Sequence, residues 1–342
     1  MRSSKVLENL PRDSEGRIIL DDLVENVDYE PLLEEKGKRS KNWMKFTDGQ
    51  VLVKYIKPGT FEDYAEMIVE EMCKQIGLES AHYDLAILNG NPCVITWDFR
   101  KENECLISGK TFTSIGVEIL INNNQYERQH EHDQKELNNL DTIRRCLSIY
   151  MSEEAVAEEM EKFDLLFGLN CFGLNGDIHL SNWSVLHNAQ GERTYRLSPN
   201  YDCGSYFRFN LSQKNISKHL RNILRQKNAE NIKRIVEDDI FGKEYVRHNS
   251  LNYTYNSTEE LGMSRLEEAF RTEPERFVSV LQKLYQIDPY EIIINVQKRI
   301  QKTMPEECSD WLVSCIDANQ HRIERVIEEV YGNYKGGELN GK

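Results

Sequence analysis

The stretch from residue 175 to residue 207, NGDIHLSNWSVLHNAQGERTYRLSPNYDCGSYF, constrains this chain more than any other part of it. It begins with Asp177 and Asn182, which stand five residues apart. Two apolar runs follow, separated by a turn-rich hinge, and this pattern predicts a β-hairpin. The hairpin leads to Asp202, the first residue of an Asp-Cys-Gly turn. We therefore expect the hairpin to bring Asn182 and Asp202 together, although many residues separate them.

This layout supplies the groups that phosphoryl transfer needs. One carboxylate, Asp177, would accept the proton of the attacking hydroxyl, while Asn182 and Asp202 would hold Mg²⁺ on the phosphates of a nucleotide. The alternative is an ordinary hairpin, because acidic and amide side chains also crowd turns to bond the backbone. An aspartate and an asparagine at this spacing are common by chance. The Asp-x-Gly at the far end of a hairpin favours the functional interpretation.

Composition narrows the class of protein. The 342 residues are 39% hydrophobic and 29% charged, which is typical of a globular chain with two lobes or two modest domains. The net charge of −14 argues against direct binding of nucleic acid or of an anionic membrane. The eight cysteines lack metal-finger spacing and are expected to be reduced. No signal peptide and no run of ~18 apolar residues appears, so we expect a cytoplasmic location, although a specialised secretion route would leave no such signal.

A strand and a helix near the amino terminus form a second candidate constellation. The strand 51–56, VLVKYI, has Lys54 as its single charge. A lysine buried on both faces of a strand must meet a carboxylate or a phosphate, whereas on an edge strand it would lie in water. The helix predicted over 61–76 ends at Gly77. It carries three glutamates beside its apolar stripe, and spacing does not choose among them: Glu62, Glu66 and Glu71.

The rest of the chain shows a simpler pattern. A second hairpin is predicted over 83–99, and the polar stretch 100–139 is expected to be a solvated loop in which His130 and His132 are exposed. A helix capped by Ser152 should run to about Leu169. Further helices are predicted over 228–241, 274–286, 289–302 and, capped by Ser309, to about Tyr331.

The motif around Asp177 resembles that of the HipA-like serine/threonine kinases. In that family D-x-H-x-x-N and a short hairpin lead to an apolar-small-Pro-x-Tyr-Asp segment. This chain has Asp177, His179, Asn182 and Trp183, followed by LSPNYD. The resemblance extends in register over roughly residues 37–300. One departure is Ser181, where many members carry a basic residue.

The resemblance implies an α+β, two-lobed protein-kinase-like fold with a small β-rich N-lobe and a large, mainly helical C-lobe. The expected division is an N-terminal extension over 1–36, the N-lobe over 37–100 and the C-lobe with the catalytic loop over 101–342. The chain is expected to be a short form that lacks the further amino-terminal subdomain of full-length HipA proteins.

The resemblance also assigns roles to individual residues. Asp177 would be the catalytic base, and His179 would either approach the γ-phosphate or brace the loop by hydrogen bonding. Asn182 and Asp202 would bind Mg²⁺. Lys54 would bind the α- and β-phosphates of ATP, and Glu66 would be the partner of Lys54. A loop that contains Gly37, Lys38 and Ser40 would cover the phosphates. Ser40 is also a candidate autophosphorylation site.

The implied function is that of an ATP- and Mg²⁺-dependent kinase that acts on a protein hydroxyl, with an antitoxin-like partner. Two alternatives stay open. The first is a small-molecule kinase of the aminoglycoside or choline type, which carries H-G-D-x-x-x-x-N; here Asn175 stands in place of the leading histidine. The second is a pseudokinase that binds nucleotide as a scaffold. LSPNYDCG fits the HipA-like pattern better than that of the small-molecule kinases.

Overall fold

The computed structural model describes most of the chain. The described residues are 10–21, 23–26, 41–46, 49–101, 103–127, 137–175, 177–188, 190, 195–225, 251 and 262–332.

Strands dominate the first third of the chain, and helices dominate the rest. The strands are β1 (Ile18–Ile19), β2 (Val24–Asn26), β3 (Lys41–Phe46), β4 (Gly49–Tyr55), β5 (Tyr83–Leu88), β6 (Asn91–Trp97), β7 (Glu104–Ser108), β8 (Ser184–Asn188) and β9 (Tyr195–Leu197). The helices are α1 (Glu62–Ile76), α2 (Gly109–Asn122), α3 (Leu140–Leu147), α4 (Glu153–Phe172), α5 (Gln213–Arg225), α6 (Met263–Thr272), α7 (Pro274–Tyr285), α8 (Pro289–Ile300) and α9 (Glu306–Tyr331).

The small lobe is a six-stranded sheet in the order β1-β5-β6-β4-β3-β2, with α1 packed against it. Strand β4 lies between β6 and β3, so it is not an edge strand. Lys54 on β4 is only 7% exposed. The edge-strand interpretation of this lysine is therefore wrong. Its ammonium group needs partners inside the protein, because a buried charge without a partner is strongly unfavourable.

Two short strands within the expected N-terminal extension over 1–36, β1 and β2, belong to the small-lobe sheet. Strand β1 pairs in parallel with β5, and β2 pairs with β3. Ile18 and Leu20 are fully buried. The turn at Gly16 lies against the carboxyl end of α8, because a Cβ atom at Gly16 would stand 2.3 Å from the carbonyl oxygen of Ile300. Strands of two and three residues are too short for an alternating pattern to reveal them.

The large lobe is built around α4. The side chain of Ser152 caps this helix by accepting a hydrogen bond from Ala155 N–H, as the sequence predicts. Around α4 pack α3, α6 and α7, together with β9. The predicted hairpin is present as β8 and β9, with Val185 opposite Leu197. It joins β7 in a three-stranded sheet that lies within the mainly helical lobe.

Several predictions outside the site need correction or lie beyond the described residues. The expected loop over 100–139 instead contains β7 and α2, the latter capped by Ser108. Helix α9 begins at Glu306, three residues before the expected cap Ser309. Among the described residues, no helix is long and apolar enough to cross a membrane. The predicted helix over 228–241, together with His130 and His132, lies outside the described residues.

Candidate active site

The centre of the candidate site is Lys54, which joins the two lobes. Its Nζ atom lies 2.5 Å from Glu66 Oε1 on α1 and 2.6 Å from Asp202 Oδ1, which follows β9. Both carboxylates accept a charge-assisted hydrogen bond, the strong kind. Of the three glutamates left open by spacing, Glu66 is therefore the one that bonds Lys54. The other two point elsewhere: Glu62 Oε2 accepts from Lys57 N–H, and Glu71 pairs with Lys74 and Arg299.

The charges of this cluster stabilise one another in a buried setting. Burial lowers the pKa of Lys54, but the charges of Asp202 and Glu66 outweigh burial and raise it above its ordinary value. Burial raises the pKa of Asp202, but the charges of Lys54 and Lys41 outweigh burial and hold it below its usual range. Burial raises the pKa of Glu66, and Lys54 opposes this rise. Lys54 and Asp202 are thus charged at neutral pH.

Lys41 is a second cation of the site, and no individual role was predicted for it. It lies on β3 directly opposite Lys54, and its Nζ atom is 2.8 Å from Asp202 Oδ2. Like charges in facing positions of a sheet repel each other. Here the two oxygens of Asp202 each neutralise one ammonium group. Two lysines therefore converge on the carboxylate that was predicted to hold the metal.

The backbone at Asp202 has an unusual conformation that several contacts hold in place. Its φ of 59° lies in the left-handed region, which few residues other than glycine adopt. The N–H of Asp202 donates to the hydroxyl of Tyr83 at 3.1 Å. The N–H of Cys203 donates to Glu66 Oε2 at 2.7 Å. Gly204 passes close to the lysine, since a Cβ atom there would stand 3.4 Å from Lys54 Nζ.

The predicted catalytic loop is closed by hydrogen bonds among its residues. The side-chain amide of Asn182 donates to the carbonyl oxygen of Asp177 at 2.6 Å, and its backbone N–H donates to the carbonyl of His179 at 2.8 Å. The imidazole of His179 accepts from Ser181 N–H through Nδ1 at 3.2 Å. Its Nε2 atom lies 3.8 Å from Asp177 Oδ1. His179 therefore braces the loop, with its second ring nitrogen on the side of the proposed base.

Three polar residues attach this loop to helix α4, and two of them, Asn170 and Tyr206, were not singled out from the sequence. Asn170, near the end of α4, accepts through Oδ1 from the side-chain amide of Asn175 at 2.7 Å and from the hydroxyl of Tyr206 at 2.9 Å. Asn175 in turn accepts from Asp177 N–H at 3.0 Å. All three are buried. Asn175, which takes the place of a leading histidine, thus has a structural role in fixing the backbone of Asp177.

These residues form a donor set that suits a nucleotide with Mg²⁺. A carboxylate and an amide oxygen are the kind of ligands that Mg²⁺ takes in phosphoryl-transfer sites, and Asp202 and Asn182 carry them. The amide nitrogen of Asn182 is engaged by Asp177, which fixes the orientation of the amide oxygen. Lys54 and Lys41 provide positive charge for phosphate. Gly37, Lys38 and Ser40, expected to cover the phosphates, lie outside the described residues.

Two solved structures, each from a different bacterium, illustrate the similarity of this fold to known proteins. One is the Helicobacter pylori proinflammatory kinase CtkA, with 17% identity and a TM-score of 0.61 over 92% of this chain and 98% of that one. The other is HipA of Shewanella oneidensis MR-1, solved with HipB and operator DNA, with 15% identity and a TM-score of 0.50 over 90% of this chain and 69% of that one. These likenesses confirm the predicted α+β, two-lobed, kinase-like fold.

The sequence itself carries the family signal. No curated protein sequence matches the chain at a significant level. The model of the HipA-like C-terminal domain matches residues 30–269, well over half of the chain. This match spans the lysine strand, α1, the catalytic loop and the Asp-Cys-Gly turn. The resemblance predicted from the motif around Asp177 is thereby confirmed, and the chain belongs to the HipA-like family.

Proposed function

We propose that this protein is a serine/threonine protein kinase that transfers the γ-phosphate of ATP, with Mg²⁺, to a protein hydroxyl. The observation that carries the proposal is the contact of Lys54 with both Glu66 and Asp202, at 2.5 and 2.6 Å. Active protein kinases require a strand lysine, held by a helix glutamate, beside a metal-binding aspartate. An ion pair with only a structural role would not need to gather both carboxylates on one lysine at the junction of the lobes.

Each residue of the site has a separate task in this proposal. Asp177 accepts the proton of the attacking hydroxyl. Lys54 and Lys41 bind phosphate oxygens, and Glu66 keeps Lys54 in position. Asn182 and Asp202 hold Mg²⁺, which neutralises the phosphate charge when it is bound. Most of the catalytic effect then comes from the positions and charges of groups fixed before substrate binds.

His179 braces the loop beside the proposed base, Asp177. Because its Nδ1 atom accepts from Ser181 N–H, the neutral ring carries its proton on Nε2, which faces Asp177. This arrangement keeps the loop in shape and places a weak donor beside the carboxylate. A contact of His179 with the γ-phosphate, the other expectation, is compatible with the same loop geometry.

Incubation with radiolabelled ATP, Mg²⁺ and a bacterial lysate tests the function directly. The expected result is label in a protein band that depends on the added enzyme and on Mg²⁺. Label that appears only in the small-molecule fraction would favour a kinase of the aminoglycoside or choline type. ATP binding without transfer to either fraction would favour a pseudokinase scaffold. Asp177→Asn protein, which keeps the side-chain shape, controls for kinases already present in the lysate.

Two finer proposals accompany this one. Ser40 is proposed as an autophosphorylation site, since phosphate on this residue of the predicted phosphate-covering loop would put about −1.5 to −2 charges beside bound nucleotide and compete with it. Peptide mapping after incubation with ATP would decide this, and modification at other residues alone would remove Ser40 from the proposal. An antitoxin-like partner is the second, because the Shewanella HipA structure contains HipB. Co-expression with a candidate partner followed by measurement of the complex mass tests it.

A further inference from the structure

Tyr83, the first residue of β5, contacts the backbone of the proposed metal ligand. Its side chain is buried, and its hydroxyl accepts the hydrogen bond from Asp202 N–H at 3.1 Å. Asp202 has a left-handed backbone conformation, which costs free energy for a residue with a side chain. A partly buried N–H also requires a hydrogen-bond partner. The phenol of Tyr83 meets this requirement at the position where the backbone turns.

Tyr83 is itself fixed at both of its backbone polar groups. Its N–H donates to Glu70 Oε2 at 3.1 Å, and its carbonyl oxygen accepts from Arg299 Nη1 at 2.9 Å. Glu70 and Arg299 also pair with each other at 2.5 Å, and their side chains are only 3% and 13% exposed. A strand residue whose backbone is held by an ion pair has little freedom to move the hydroxyl at the far end of its side chain.

The ion pair joins α8 to α1, two helices that pack against each other. Arg299 lies on α8, which also packs against α9, and Glu70 lies on α1 of the small lobe. Glu70 follows Glu66 by four residues, so the two glutamates share one face of α1. Along this face, Glu66 holds Lys54 and Cys203 N–H, whereas Glu70 holds Tyr83. The contacts therefore form a continuous series from Arg299 on α8, through Glu70 and Tyr83, to Asp202.

We infer that Tyr83 is a positioning residue for phosphoryl transfer: it fixes the backbone of Asp202, and the Glu70–Arg299 pair fixes Tyr83. The inference rests on the proposed function, because the consequence for metal binding depends on Asp202 being a Mg²⁺ ligand. Without the hydroxyl, the Asp202 N–H loses its partner. The backbone then departs more readily from the left-handed conformation that aims the carboxylate.

Tyr83→Phe tests the inference without a cavity, since only the hydroxyl is removed. The matched control is Tyr285→Phe on α7, which removes a hydroxyl that donates to Glu324 on α9. Hydrogen exchange in the nucleotide-free protein is the first measurement. The peptide that contains Asp202 should exchange about three- to tenfold faster in Tyr83→Phe, as expected from the loss of one hydrogen bond. The Tyr285→Phe protein should exchange there at the parent rate.

Calorimetric ATP binding at a series of Mg²⁺ concentrations is the second measurement. The Mg²⁺ concentration that gives half of the binding should rise about three- to tenfold in Tyr83→Phe, and excess Mg²⁺ should restore parent affinity by mass action. A merely structural role would lower the melting temperature and leave this Mg²⁺ concentration unchanged. Arg299→Lys keeps the charge but loses the forked contact, so it should raise the Mg²⁺ requirement by less than Tyr83→Phe does. In a protein that already carries Tyr83→Phe, it should cause no additional rise.

The two hypotheses fail in different ways. If the parent binds ATP with Mg²⁺ and Tyr83→Phe matches it in both exchange and Mg²⁺ requirement, the positioning role is overturned while the proposed function stands. If the parent binds no ATP at any Mg²⁺ concentration, the proposed function is overturned. Hydrogen exchange needs no ligand, so it still tests the contact in that case. If exchange at Asp202 is the same in Tyr83→Phe as in the parent, the hydroxyl of Tyr83 does not hold the backbone of Asp202.

Discussion

Lys41 and Lys54 lie directly opposite each other on neighbouring strands, and both donate to the carboxylate of Asp202. Two ammonium groups in such positions would repel each other without an anion between them. The small-lobe sheet therefore presents a pair of positive charges whose arrangement depends on one residue from the large lobe. Bound phosphate groups could take over this neutralising role, which leads to the first prediction.

Lys54→Met should damage the protein's proposed activity more than Lys41→Met. Lys54 contacts both Glu66 and Asp202, whereas Lys41 contacts only Asp202. We expect Lys54→Met to lose phosphate transfer by ~10²-fold or more, the typical effect of removing one charged group that stabilises the transition state. It should also lose most of the rise in melting temperature that saturating ATP with Mg²⁺ produces in the parent. Thermal shift and labelled transfer measure the two effects.

Lys57→Met is the control for these variants. Lys57 follows β4, and its side chain is exposed, so this change removes a lysine from the same segment without touching the site. It should behave as the parent in both measurements. If Lys41→Met lost more phosphate transfer than Lys54→Met, the greater importance assigned to Lys54 would be wrong.

Much of the site could be predicted from sequence because its signals are local. The strand around Lys54 and the spacing from Asp177 to Asn182 depend on neighbouring residues, and the hairpin fixes the return to Asp202. The choice of Glu66 required the register of a family, since helix spacing alone leaves three glutamates. Only the packing of α1 decides that Glu66 faces β4 while Glu71 faces Arg299.

The contacts that sequence could not predict join distant segments. Lys41 ends the basic run 35–41, EKGKRSK, which is equally typical of a solvated loop. Only the pairing of Lys41 with β4 brings it to Asp202. The hydroxyl of Tyr83 meets a backbone N–H more than a hundred residues away. Helix α2 contains two glycines and several β-branched residues, all weak helix formers, so tertiary packing overrides local propensity there.

Gly16→Ala should destabilise the protein by more than the strain of its backbone alone. Gly16 has a φ of 77°, and a Cβ atom there would stand 2.3 Å from the carbonyl oxygen of Ile300. We expect a loss of roughly 2 kcal/mol or more in the free energy of unfolding, because the turn must move away from α8. Urea unfolding measures this loss.

Gly90→Ala measures the cost of the left-handed backbone conformation alone. Gly90 has a φ of 76°, but no atom lies within 4 Å of the added Cβ. This variant should lose only about 1–2 kcal/mol, the usual cost of the left-handed conformation for a residue with a side chain. Equal losses in the two variants would show that the amino-terminal turn does not depend on close contact with α8.

Asp63→Asn should make the protein more stable at neutral pH. Asp63 lies in the first turn of α1 and is 4% exposed. Burial raises the pKa of its carboxyl group to about 6, although a hydrogen bond from Tyr64 N–H and the charge of Arg17 both act to lower this pKa. Between the unfolded pKa of about 3.9 and this value, the folded state binds more protons than the unfolded state. Stability therefore falls as pH rises through this window and stays reduced above it.

The asparagine variant removes this titration, so its advantage should be about 2–3 kcal/mol at pH 7.5 and disappear towards pH 4. The difference in unfolding free energy between variant and parent across this range is the measurement. A constant difference across the pH range would contradict the raised pKa of Asp63.

Asp177→Asn and Asp202→Asn should separate the proton acceptor from the metal ligand. In the proposed function Asp177 touches no phosphate, so Asp177→Asn should bind ATP with Mg²⁺ almost as the parent does. Its phosphate transfer should fall by ~10²-fold or more, because an amide cannot accept the proton of the substrate hydroxyl. The substitution keeps the side-chain shape, so a cavity cannot explain the loss.

Asp202→Asn should lose both functions, because this carboxylate is proposed to link Mg²⁺ to the phosphates. The variant also leaves Lys41 and Lys54 opposite each other without their shared anion, so its melting temperature should fall even without nucleotide. A Mg²⁺ titration of ATP affinity, run beside phosphate transfer below the melting temperatures of both variants, distinguishes them. Asp177 would not be the base if Asp177→Asn kept near-parent transfer. If Asp202→Asn kept the Mg²⁺ dependence of the parent, the metal would have to bind elsewhere in the site.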